Sequence, residues 1–190
     1  MERYTATAIA LHWLIAVAIL LQLGSGLWMG GALKDPATQA FAYDVFQWHK
    51  ALGLSVLVLS LFRLIWRVTH RPPALPPAMP MLERRLAHLG HWALYALMIA
   101  IPLSGWVMVS TSKFGLPTSW FGLFEWPHLP VPKDMRTSAN DGSHEAHWLM
   151  AYAMIGLLIA HISAALRHHF LLHDTVLWRM LPVVKRKESA

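Results

Sequence analysis

Four runs of apolar residues set the terms for this chain. They extend from about Ala6 to Met29, Val45 to Val68, Leu89 to Val109 and Ser143 to Phe170. An α-helix rises about 1.5 Å per residue, so about 20 such residues cross the hydrocarbon layer of a bilayer. A lipid-exposed segment must satisfy its own backbone hydrogen bonds, which leaves the helix as the available structure. Only 14% of the 190 residues are charged, against roughly 25% in soluble domains. The expected architecture is all-α: a four-helix transmembrane bundle forming one domain over residues 1–190. The first run lacks a small-residue cleavage site and is too long for a signal-peptide core, so it reads as an uncleaved first span.

The connections carry their own signals. Arg71-Pro72-Pro73-Ala74-Leu75-Pro76-Pro77-Ala78-Met79-Pro80 cannot be helical and reads as a stiff, extended linker. Pro102 is expected to kink the third span. The long segment from about Ser110 to Gly142 contains Trp120, Phe121, Phe124 and Trp126, which suits a short cap at the membrane interface. Basic residues set the orientation. Arg3, Arg63, Arg67, Arg71, Arg84, Arg85, Arg167, Arg179, Lys185, Arg186 and Lys187 fall on one side; Lys34, Lys50, Lys113, Lys133 and Arg136 fall on the other. The richer side is expected to be cytoplasmic, with both termini. Juxtamembrane placement accounts for the positive charge, so no nucleic-acid partner is expected.

The fourth run begins and ends on histidine. His147 and His161 are separated by thirteen uncharged residues. Fourteen residues of helix advance about 21 Å and fall about 40° short of four turns, so the two rings share a face at two depths. Intramembrane histidines are costly and call for a partner or ligand. His12, early in the first span, lies at the depth of His161; His49, early in the second, lies at the depth of His147. Two pairs at two depths fit two bis-histidine haems better than a zinc site, which gathers four ligands at one point. The chain has no cysteine, which excludes disulfides, Cys-ligated iron–sulfur clusters and covalently attached c-type haem.

Other residues repeat the fourteen-residue interval. Arg63 follows His49 by fourteen and is a candidate partner for a haem propionate, the alternative being a side chain that snorkels to the interface. Gly26 follows His12 and Gly105 follows His91 at the same interval. Either leaves room for a porphyrin or permits tight helix packing. His144 also lies near the outer level, but a further 60° or so around the helix, so His147 is the preferred ligand. The tryptophans beside histidines, Trp13, Trp48, Trp92 and Trp148, suit either haem edges or the interfacial belt.

In combination these pieces resemble the bacterial cytochrome b561 family of small dihaem membrane proteins. The matching segments are Leu11-His12-Trp13, His49 with Arg63-Leu64 and Arg67, Ala87-His88-Leu89-Gly90-His91 with Tyr95, His147 with His161, Ala165-Leu166 with His168-His169-Phe170, and Asp174 followed by Leu177-Trp178-Arg179-Met180. The resemblance covers nearly the whole chain. It implies two non-covalent b-type haems with axial ligands His12, His49, His147 and His161. It also implies electron transfer involving ubiquinone or another quinone, in the bacterial inner membrane. Arg67 joins Arg63 as a propionate candidate. His168, His91 and His88, at the cytoplasmic level, become candidates for a quinone or for propionates, or are simply interfacial polar residues.

Two functions follow from the resemblance. One is a superoxide:ubiquinone oxidoreductase. The other is a cytochrome b subunit that conducts electrons for a separate periplasmic redox or quinone-binding protein. The outer segments carry five basic against six acidic residues, which offers a superoxide anion little broad steering. A haem-free, histidine-lined metal transporter would need polar side chains along a path, and the spans offer few.

Overall fold

Helix breakers and caps at the ends of the apolar runs, rather than the runs themselves, decide where each helix stops. The computed structural model describes residues 3–182; Lys185, Arg186 and Lys187 of the orientation argument lie outside the described residues. Helix α1 spans Ala6–Ala32, with the Thr5 side chain accepting a hydrogen bond from the backbone N–H of Ala8, the usual N-cap arrangement. Helix α2 spans Gln39–Thr69 and stops ahead of the Arg71-Pro72-Pro73 segment. Helix α3 spans Met81–Thr111, starting immediately after Pro80 and running continuously through Pro102. Helix α4 spans Arg136–Phe170 and is preceded by a single 3-10 turn at Lys133–Met135.

All four helices are long and apolar enough to cross a membrane. Three begin earlier than the apolar runs do: α2 at residue 39 rather than 45, α3 at 81 rather than 89, α4 at 136 rather than 143. The added turns are polar or charged, as in Glu83-Arg84-Arg85 and Asn140-Asp141-Gly142. Hydropathy marks the stretch suited to lipid, while the helix continues into the aqueous layer wherever nothing breaks it.

The outer connection holds a small hairpin. Strands β1, Thr118–Trp120, and β2, Phe124–Trp126, pair antiparallel in the register Thr118 to Trp126 and Trp120 to Phe124. Its turn places Phe121 and Gly122 at φ of 51° and 77°, which glycine adopts freely and phenylalanine only under constraint. Trp120 Nε1 donates to Ser55 Oγ at 3.1 Å, and Lys50 Nζ donates to the carbonyl of Pro117 at 2.7 Å. Both contacts pin the hairpin onto α2, giving the expected interfacial cap a definite form.

Chain order gives the packing: α1 rests on α2, α2 on α3 and α3 on α4. At the end opposite the hairpin, residues 171–182 fold back under the bundle. The carbonyl of Met180 accepts from Trp13 Nε1 at 2.8 Å, Arg179 Nη1 donates to the carbonyl of Ala74 at 2.5 Å, and the backbone of Tyr4 donates to that of Arg179. Both ends of the described chain therefore meet at one end of the bundle. Burial raises the Tyr4 hydroxyl above its ordinary pKa, partly offset by the positive charges of Arg67 and Arg63. Arg167 and Glu83 form an exposed ion pair between α4 and α3 at 3.2 Å, worth at most about 1 kcal/mol.

A buried cluster that includes Ile19, Val56, Met98 and Met154 fills the middle of the bundle. These four residues lie seven positions after His12, His49, His91 and His147 respectively. Seven residues are close to two helical turns, so they form an apolar layer midway between the two histidine levels.

Candidate functional site

The four helices deliver their histidines in pairs. The rings of His12 and His161 have centres 6.3 Å apart, and those of His49 and His147 are 6.4 Å apart. A metal between two trans imidazoles lies about 2 Å from each ligating nitrogen, itself roughly 1.1 Å from its ring centre, so such rings sit roughly 6.2 Å apart. Both spacings match that requirement. The helices that face these rings toward each other, α1 with α4 and α2 with α4, are absent from the closely packed neighbours among the described residues. The pair His49 and His147 borders a cavity between these helices.

At the outer level both rings are hydrogen-bonded through Nδ1. Ser25 Oγ lies 3.0 Å from His49 Nδ1 and 3.2 Å from the carbonyl of Gln22. Ser104 Oγ lies 3.0 Å from His147 Nδ1 and 2.7 Å from the carbonyl of Ile101. His147 Nδ1 also lies 3.1 Å from the Ile101 carbonyl, which can only accept, so a proton on Nδ1 suits it. With the proton on Nδ1, Nε2 presents its lone pair, the state a metal ligand needs.

Glycines stand beside the same two rings. A Cβ on Gly26 would come within 3.3 Å of His49 Cε1, and one on Gly105 within 3.2 Å of His147 Cε1. The missing side chains thus leave space for the ligand imidazoles themselves. A cavity of about 280 Å³ opens here, lined by Gly26, His49, Gly105 and His147, with Lys50 and Thr118 at the hairpin.

These residues expose a repeat. His12-Trp13 and Ser25-Gly26 on α1 recur as His91-Trp92 and Ser104-Gly105 on α3, at the same thirteen-residue interval. On α2 and α4 the matching positions are His49 with Arg63 and His147 with His161. Sequence reasoning found the glycines but missed Ser25 and Ser104; the repeated Ser-Gly dipeptide was the signal that could have found them.

The inner level differs from the outer. The His91 ring lies 5.7 Å from that of His161, so three histidines gather there rather than two. His91 thus turns inward to the centre, whereas His88 is exposed. Arg63 Nε donates to the Tyr95 hydroxyl at 3.1 Å and Arg63 Nη1 to the carbonyl of Ala8 at 3.2 Å. The Arg67 guanidinium lies 5.5 Å from the Tyr95 ring centre and 5.9 Å from that of Trp92. Both arginines line a smaller cavity of about 60 Å³ with Tyr4 and Tyr95. Arg63 is thereby held inside the bundle end rather than extended along lipid.

His168 Nδ1 is bonded to Asp174 Oδ2 at 2.5 Å, which fixes its ring; among the described residues Nε2 has no hydrogen-bond partner. His169 packs edge-on against Trp178. His144 is exposed at the rim of the outer cavity, while His147 is the residue opposite His49. Among the tryptophans, Trp48 and Trp92 are largely exposed, as belt residues are, and Trp148 lies against Gly30.

Comparison with known proteins identifies the family. The family model described as prokaryotic cytochrome b561 matches residues 3–183. The chain belongs to that family. This b561 protein is 33% identical over 180 residues to "Cytochrome b561 homolog 2" of Escherichia coli (strain K12), covering 95% of this chain and 92% of the relative. It is 30% identical over 187 residues to "Probable superoxide oxidase CybB" of Yersinia pestis, covering 95% and 97%. A second Escherichia coli protein, "Cytochrome b561 homolog 1", is 28% identical over 182 residues, covering 96% and 98%. The b561 chain is thus a multi-pass bacterial membrane protein of an electron-transfer family that implies haem b.

Proposed function

We propose that this protein carries electrons between a donor on the periplasmic side, superoxide favoured, and the quinone pool of the bacterial inner membrane. Its relay is two b-type haems, one between His49 and His147 and one between His12 and His161. The observation that carries the reading is the pair of matched ring spacings, 6.3 and 6.4 Å, at two levels of one bundle. Bound haem supplies reversible one-electron chemistry; the protein supplies the ligands, an apolar surround and cationic groups that set potential. Ser25 and Ser104 orient the outer ligands. Arg63 and Arg67 are the groups for inner propionates.

The end where both ends of the described chain meet is read as cytoplasmic, and the whole chain 1–190 as one unit. Quinone is placed at that end, beside His168. The Asp174 carboxylate orients the His168 ring so that Nε2 can donate to a quinone oxygen, and water at the interface can return the proton. His88 and His91 remain quinone or propionate candidates, His91 the nearer to the inner centre. Superoxide as donor is supported by the relative named a probable superoxide oxidase.

A second reading, a conduit for a separate periplasmic protein, is favoured by the outer side itself. Its charge balance is slightly negative, and its hairpin leaves Leu123 and Phe124 exposed. Stopped-flow mixing with superoxide, with and without a soluble quinone, distinguishes the two. Reduction of the haem bands by superoxide followed by quinone-dependent reoxidation supports the first reading. Haem that superoxide does not reduce, but a periplasmic redox protein does, transfers the function to the second.

A further inference from the structure

Lys50 is a cation placed where a cation is hard to keep. It follows His49 directly on α2 and is only 8% exposed. Its ammonium has three donors. One goes to the carbonyl of Pro117 at 2.7 Å, and the charge also lies 4.9 Å from the ring centre of Phe46. Among the described residues neither ion pair involves it. A buried ammonium without a counter-charge is strongly unfavourable.

The residue after Pro117 adds a second observation. Thr118 is 2% exposed, and among the described residues its Oγ1 has no hydrogen-bond partner. Both Lys50 and Thr118 line the outer cavity with His49 and His147. A buried cation and a buried hydroxyl, each short of a partner among the described residues, thus line one cavity and are linked through the Pro117 carbonyl. An oxygen anion there would satisfy both, because an ammonium and a hydroxyl each donate to a carboxylate oxygen.

We propose that Lys50 and Thr118 form a seat for an anionic oxygen group at the outer centre, and that its resident is a propionate of the haem held by His49 and His147. The inference rests on the dihaem reading above. It gives the hairpin a purpose: β1 carries one half of the seat and α2 the other, so the propionate fastens the cap to the bundle. A free anion such as superoxide shares the oxygen chemistry and is the competing occupant.

The test is a chemical double-mutant cycle on the full chain. Apoprotein of the wild type and of Lys50→Met, which keeps an apolar stem of similar length, is refilled with native haem or with its dimethyl ester. The midpoint potential of each haem is followed by spectroelectrochemical titration, the outer component being assigned by its absence from His147→Ala. With native haem, Lys50→Met should lower the outer midpoint and hasten outer-haem loss, with the inner midpoint unchanged. Thr118→Val should do the same more weakly, and Lys50→Arg should restore most of the wild-type value. With the ester, Lys50→Met should still lower the outer midpoint, since the lost charge acts on the iron directly, but should change the rate of outer-haem loss little.

Equal acceleration of outer-haem loss with native and esterified haem would overturn the propionate assignment. So would an unmoved midpoint accompanied by slower superoxide capture, which would make the occupant a free anion. Wild-type protein that binds no haem between His49 and His147 would overturn the dihaem reading, and the seat with it.

Discussion

At the scale of single residues, the outer centre depends on atoms that touch the ligands without being ligands. Ser25 and Ser104 each hydrogen-bond the Nδ1 of an outer histidine. Losing such a partner typically weakens metal binding by about 10–100-fold. Ser104→Ala should therefore loosen the outer haem by about that factor while sparing the inner one, as measured by haem transfer to an acceptor apoprotein. Gly105→Ala should act on the same haem by another route, since its Cβ would press on His147 Cε1. Ligand choice is tested at this scale too. His147→Ala should remove the outer haem spectrum and His144→Ala should retain it, because only the His147 ring faces His49; the reverse pattern would reject the pairing. The fourteen-residue spacing made the paired rings legible in the sequence. The serines were not, because a hydroxyl on an apolar helix face looks like ordinary packing until its neighbour is known.

At the scale of elements, the four spans were readable because lipid imposes length and apolarity together. Their polar ends were not, since a helix continues past the membrane under local rules alone. Hydropathy is silent about Met81–Ala87, and the helix begins there nonetheless. His91 shows the same limit. Its place early in the third apolar run left a quinone, propionate or interfacial role open, and did not show that its ring lies against His161. The hairpin was visible only as a cluster of aromatics; its pairing depends on the Phe121-Gly122 turn and on contacts from α2. The C-terminal segment supports a prediction of its own. His168 is oriented by Asp174 across the bend that ends α4. His168→Ala and Asp174→Asn should both leave the haem spectra nearly intact and slow reoxidation of pre-reduced protein by a soluble quinone. Unchanged rates in both would remove the quinone from that end of the bundle.

At the scale of the whole molecule, two helical hairpins of similar design face each other. Each brings a His-Trp, a Ser-Gly and a histidine at corresponding positions, so the outer level is built nearly twice over. The inner level breaks the match: His161 stands on α4 where Arg63 stands on α2. One half thus gives a second histidine, the proposed ligand, and the other a fixed positive charge, which makes the two levels chemically unequal and would suit the proposed haems to different potentials. The apolar layer of Ile19, Val56, Met98 and Met154 keeps the levels apart. The claim on which everything above depends is that both levels hold haem. A pyridine haemochrome assay on purified protein, set against protein concentration from amino-acid analysis, measures it directly. Two haems per chain, both released by acid–acetone extraction, is the expected result; a ratio near one, or haem that stays with the protein, would contradict it.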